Sequence, residues 1–107
     1  MTLFYVMEYI EVKKLIVGSC QMEVFIFESS SLKEKRKVIK SIIGRVQARF
    51  NVSIGEVGFH DNWKRAVIGF ACVSNNSKHA NEVLDNVINF INEDSRIEMI
   101  NEKIEIM

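Results

Sequence analysis

The chain has no proline, only two cysteines, one tryptophan and no net charge, and each scarcity excludes something. Without proline, nothing in the chain forces a break in a helix or strand. Cys20 and Cys72 form neither a CxxC pair nor a disulfide framework, which fits a reducing cytosol. The five glycines make neither a GxGxxG nor a Walker loop, so no phosphate cradle is legible. Fourteen basic residues balance fourteen acidic ones, which excludes a polycation or an acidic tail as the whole molecule's character. Long apolar runs are absent too. Leu3–Phe4–Tyr5–Val6–Met7 spans five residues, follows no Lys or Arg and is succeeded by Glu8 and Glu11, unlike a signal peptide or a membrane span. We therefore expect a cytoplasmic protein with no membrane contact. What is present is 107 residues, 48% of them hydrophobic, enough for one domain. A chain of this size buries a little over about 60% of its unfolded surface and needs neither disulfide nor metal to fold.

Periodicity divides the chain. Residues 1–14 are expected to form an N-terminal extension, loosely held or adding a strand because of their β-forming residues, with the folded domain at 15–107. Leu15 to Phe27 alternates, Cys20, Met22, Val24 and Ile26 on one face and Ser19, Gln21, Glu23 and Phe25 on the other, as a half-buried strand does. Ser31 with Glu34 matches a capping box, and a helix is predicted from there to about Phe50. Leu32, Ile39, Ile42, Ile43, Val46 and Phe50 fall on its apolar side. Val52 to Phe59 and Lys64 to Val73 read as strands joined by the loop His60–Asp61–Asn62–Trp63, with Gly55 and Gly58 marking a bulge or close packing. A second helix carries Ala80, Val83, Leu84, Val87, Ile88 and Ile91, and Ile97 to Ile106 is a last strand whose apolar phase slips near Ile100 and Asn101, as at a bulge. The order β-α-β-β-α-β predicts an α+β, ferredoxin-like fold: a two-layer sandwich with a four-stranded antiparallel sheet and both helices on one face. Phe25 and Phe27 would then need a cover on the open face, which a second copy of the chain, making a homodimer, or the N-terminal extension would supply.

Ser31–Leu32–Lys33–Glu34–Lys35–Arg36, Arg49–Phe50–Asn51–Val52–Ser53, Glu56–Val57 and Asp61-x-Trp63-x-Arg65–Ala66 together resemble the YlxP-like family of small bacterial proteins, over about Leu15 to Ile106. The family is catalogued as a domain of unknown function. The resemblance implies a ferredoxin-like fold and brings no reaction or cofactor. Genes of the family commonly lie among those for translation and ribosome maturation, which implies a connection to RNA or the ribosome by association. This chain departs from the family pattern at Ser30, where a His is usual, and at Lys64, where Gln or Asn is usual. A role for that His is therefore not carried over.

The charge distribution is the most informative feature. Between residues 32 and 50, seven bases (Lys33, Lys35, Arg36, Lys37, Lys40, Arg45 and Arg49) face only Glu34, a net +6. Residues 82–107 hold seven acids against Arg96 and Lys103, a net −5. On a helical wheel Lys33, Arg36, Lys37 and Lys40 gather on one flank of the apolar stripe. Cations in the first turns oppose the helix dipole at about 0.3–1 kcal/mol each. The like-charged pairs Lys33–Lys37 and Arg36–Lys40 each add about 0.2–0.5 kcal/mol of repulsion. An anionic partner would offset that arrangement. A phosphate backbone is one candidate; the acidic segment of the same chain or of a dimer mate is the other.

Trp63, Lys64 and Arg65 place an aromatic beside two cations, able to stack on a base and hold phosphates. The plainer account makes Trp63 a half-buried packing residue, with Asp61 holding the turn or pairing Arg65. Catalytic arrangements are weaker. Cys20 or Cys72 with His60 and Asp61 would make a nucleophile, base and orienter, but no signature frames them. Cys20, His60, Cys72 and His79 match no recurrent zinc spacing. We expect a non-enzymatic protein without cofactor or metal that binds RNA or a ribosomal particle through Lys33, Arg36, Lys37 and Lys40, helped by Trp63, Lys64 and Arg65. The competing expectation is a homodimeric interaction module with self-complementary basic and acidic poles.

Overall fold

In the computed structural model residues 14–107 are described, and they form six elements: β1 (Ile16–Ile26), α1 (Leu32–Arg49), β2 (Ser53–Gly58), β3 (Arg65–Ser74), α2 (Ser77–Asn92) and β4 (Ile97–Ile106). The extension expected at 1–14 lies, but for Lys14, outside the described residues. The strands make one antiparallel sheet in the order β2-β3-β1-β4. This is the ferredoxin-like α+β arrangement. Its two central strands, β1 and β3, are distant in sequence and adjacent in space, as two β-α-β crossovers require.

The alternation in β1 sorts its residues as expected. Ile16, Cys20, Met22, Val24 and Ile26 are buried beneath the helices, and Ser19, Gln21, Glu23 and Phe25 look to the other side. Gly18 lies where α2 comes closest: a Cβ there would meet Leu84 Cδ1 at 3.2 Å and Ala80 Cβ at 3.4 Å. From α2, Ala80, Leu84, Val87, Ile88 and Ile91 enter the core, and from α1, Ile39, Ile42 and Val46. Ile43 and Phe50 only border it, and Leu32, expected on the apolar side, is partly buried without belonging to it. At the far end of α1 the rings of Phe50 and Phe90 meet edge to face, 5.5 Å between centroids, and so join the two helices.

Both edge strands are irregular. In β4 the pairing with β1 skips Ile100, so the slipped apolar phase is a bulge. In β2 the pairing with β3 skips Val57 between Glu56 and Gly58. A Cβ on Gly58 would lie 3.0 Å from Val67 Cγ2, which explains a glycine next to the bulge. Nothing crowds Gly55, so close packing does not account for it. A bulge on each edge, with Glu98, Glu102, Lys103 and Glu105 on β4, discourages another strand from adding there.

Candidate nucleic-acid interface

Helix α1 starts at a true cap. Ser31 Oγ accepts from the Glu34 N–H at 3.1 Å. The return bond reaches one residue further back than in an ordinary capping box: Glu34 Oε2 accepts from the Ser30 N–H at 2.8 Å and the Ser30 hydroxyl at 3.0 Å. Those two bonds, the backbone one first, hold the Glu34 carboxyl below its usual range, and Lys37 and Lys64 add to the effect. Ser30, the departure from the family's His, is thus absorbed into the start of the helix.

The structure sorts the seven bases of α1 into two groups. Three meet partners within the chain, Lys35 buried and Arg45 and Arg49 at the surface. Lys35 has no exposed surface; its Nζ donates to the carbonyls of Phe59 (2.7 Å), His60 (3.3 Å) and Arg65 (3.2 Å). Those carbonyls take the ammonium's three hydrogens, so Glu56 Oε2, 2.9 Å away, neutralises its charge without an aligned hydrogen bond of its own. Arg45 and Arg49 both stand over the Phe90 ring at 5.2 Å, and Arg45 also reaches Asp94 at 3.4 Å. The other four, Lys33, Arg36, Lys37 and Lys40, are exposed, and among the described residues none is within ion-pair distance of a carboxylate. They occupy an arc of about 100° on the helix. The acidic segment of the same chain does not meet them: Asp94 pairs with Arg45 and Arg96, and Glu105 with Lys103.

The β2–β3 loop is where sequence reasoning went furthest astray. The turn is held by Asn62, not Asp61: its Oδ1 accepts from the N–H groups of Lys64 (2.9 Å) and Arg65 (3.0 Å). Arg65 pairs with Glu23 rather than Asp61, and its guanidinium lies 4.6 Å from the Phe59 ring centroid. Trp63 is not half-buried. It is 56% exposed, because the Asn62 turn carries it beyond the end of the sheet. Lys64 Nζ lies 5.8 Å from the Phe25 ring and donates to the Phe27 carbonyl at 3.4 Å. Phe59 adopts a left-handed backbone, φ 57°, a conformation costing about 1–3 kcal/mol for a non-glycine residue and kept only where its surroundings hold it. Here Lys35 and the Asn62 N–H both bond its carbonyl.

Lys35 is the residue that sequence reasoning missed. By sequence it belongs to the family motif and the helix charges; in the fold it is buried. The signal was available: it precedes Ile39 by four positions and Ile42 by seven, on the apolar stripe itself.

The groups considered for catalysis do not assemble. Cys20 is buried, and burial, with Glu102 and Asp85 nearby, pushes its thiol up to about 11. Cys72 is buried with Sγ 3.9 Å from the Ala80 carbonyl oxygen. His60 touches the Glu56 carbonyl at 3.1 Å and His79 the Ser74 hydroxyl at 3.1 Å. Among the described residues no three of His, Cys, Asp and Glu gather as a metal-holding group. Nor is any described helix long and apolar enough to cross a membrane.

Residues 17–104 match the family described as "Protein of unknown function (DUF503)". The chain belongs to the DUF503 family. It is 42% identical over 83 residues to "Uncharacterized protein YlxP" of Bacillus subtilis (strain 168), an alignment covering 78% of this chain and 90% of that protein. The DUF503 chain also superposes on "De novo designed protein Foldit4" with a TM-score of 0.51 at 14% identity, covering 88% of this chain and 97% of the designed one. That likeness concerns the fold alone. No catalytic activity is attached to the DUF503 family or to the YlxP relative.

Proposed function

We propose that this DUF503 protein is a non-enzymatic, cytoplasmic RNA-binding protein that docks on structured RNA or a ribosomal particle through Lys33, Arg36, Lys37 and Lys40. The supporting observation is the sorting of the α1 cations. Lys35, Arg45 and Arg49 meet carbonyls, a carboxylate or aromatic rings of the fold, while the four on one arc have neither carboxylate nor ring partner among the described residues. Lys64 extends this surface, since Glu34 feels both Lys37 and Lys64. Trp63 and Arg65 stand beside it, Arg65 with its charge partly met by Glu23. A phosphate backbone offers regularly spaced anions to such an arc and gains from counterion release.

Reversing Lys33, Arg36, Lys37 and Lys40 to Glu is expected to abolish binding to ribosomal RNA in a filter-binding assay while the far-ultraviolet dichroism stays that of the parent. Retention of RNA by the folded variant rejects the proposal.

A second reading is a homodimer whose poles meet each other. It is favoured by the acidic side: among the described residues Glu82, Asp85, Glu93, Glu98 and Glu102 have no ion pair either. Sedimentation at low and high salt separates the two readings. Self-pairing poles require a dimer at low salt that dissociates as salt rises, and a monomer throughout removes them.

A further inference from the structure

Where β1 and β2 end and β3 begins, the protein exposes three aromatic side chains: Phe27 (47%), Phe59 (43%) and Trp63 (56%). They are brought together by pairing. Phe25 opposes Arg65 in the β1–β3 register, and the Ile26 N–H donates to the Lys64 carbonyl at 2.7 Å, continuing it. Phe27 and Trp63 are the residues next to that bond, Phe27 following Ile26 and Trp63 preceding Lys64. Cations already stand over neighbouring rings, Lys64 by Phe25 and Arg65 by Phe59. Lys64, beside this cluster, lies near one end of α1, where it and Lys37 both act on the Glu34 carboxylate.

We propose that this aromatic end takes an unpaired nucleobase, so that the RNA bound by the DUF503 protein has an unpaired nucleotide stacked on Trp63 and Phe27, its phosphates running toward Lys64 and the α1 cations. The inference rests on the RNA-binding reading and adds the class of RNA. Charge complementarity selects the occupant. An apolar partner would have to desolvate Lys64 and the nearby α1 ammonium groups, whereas a nucleotide offers a π face to the rings and an anion to the cations. The loop is also shaped before any ligand arrives. Lys35 ties down two of its backbone carbonyls and that of Arg65 at the start of β3, and Asn62 holds its turn, so little ordering is left for the binding step.

Trp63 is the one tryptophan in the chain, so its fluorescence reports this surface directly. Two RNA hairpins serve as probes, identical except that one carries an unpaired tail of four adenosines at its 3′ end. The tailed hairpin is expected to quench Trp63 emission and to bind at least about tenfold more tightly than the blunt one, the value of one good base–aromatic stack. Trp63→Ala, at an exposed position and checked for folding by circular dichroism, is expected to weaken the tailed probe about 5- to 100-fold and the blunt probe little, with the salt dependence unchanged. Trp63→Phe is expected to restore most of the difference. Equal affinity for both hairpins with unchanged emission overturns this inference and leaves the α1 reading standing. Failure of the parent protein to bind either hairpin overturns both. A Trp63→Ala change that shifts the sedimentation coefficient without altering RNA affinity assigns the cluster to a second copy of the chain and likewise overturns the inference.

Discussion

An ammonium with no exposed surface, bonded to three carbonyls, makes Lys35 unlike every other base in α1. Burying a cation is tolerated only when its hydrogens and charge are all met, and removing such a group strands its partners. Lys35→Met is therefore expected to destabilise the fold by about 3 kcal/mol, near the lower end for a broken buried pair because Glu56 keeps some access to water. A urea titration checks this, and adding Glu56→Gln should recover part of the loss. At Cys20 the sign of the pH effect follows from burial. The thiol ionises near 9.0 when unfolded and near 11 when folded, so the folded state holds the extra proton between those values. Stability is then expected to fall as pH rises from about 9 toward 11. In the native protein near neutral pH, iodoacetamide should label Cys20 far more slowly than a free thiol; rapid labelling would revive a thiol chemistry. Residue-scale legibility was uneven for a physical reason. Composition places lysine on the surface by default, and only its phase on the helix reveals that Lys35 points inward. Trp63 shows the reverse: its size suggests burial, and its exposure depends on the Asn62 turn before it.

At the scale of elements, α1 combines a good cap with a poor charge pattern. Ser31→Ala is expected to cost about 1 kcal/mol in urea denaturation, the usual worth of an N-cap hydroxyl. The four-fold reversal to Glu should carry no such cost. It replaces cations that oppose the dipole near the helix start with anions that favour it, while the pairs at Lys33–Lys37 and Arg36–Lys40 stay like-charged, so the variant is expected to unfold at no lower urea than the parent while losing RNA. A lower midpoint would mean that the four cations are satisfied within the fold after all. The helices and the β4 bulge were legible because each leaves a local trace: the capping box, the 3.6-residue stripe, the slipped phase at Ile100 and Asn101. The β2 bulge was marked only by its neighbouring glycines, and Val57 as its extra residue appears once β2 is paired with β3.

For the molecule as a whole, element order was enough for the topology, since right-handed crossovers leave one compact way to close β-α-β-β-α-β. The candidate interface was half legible. Its four α1 cations sit on one arc of one helix, where a wheel finds them. The nearness of Lys64 to Glu34 and Lys37 bridges some thirty residues of sequence, with Lys35 bonding the β2–β3 loop from α1, and no local pattern encodes it. On the proposed reading these form one surface, whose α1 cations have no carboxylate partner among the described residues and would meet phosphates. The dependence of ribosomal-RNA affinity on salt tests that claim most directly, with a neutral protein as competitor. Four neutralised phosphates at about −0.7 each predict a log–log slope near −3, reduced toward zero in the four-fold reversal variant. A flat dependence, or no binding at low salt, contradicts the account.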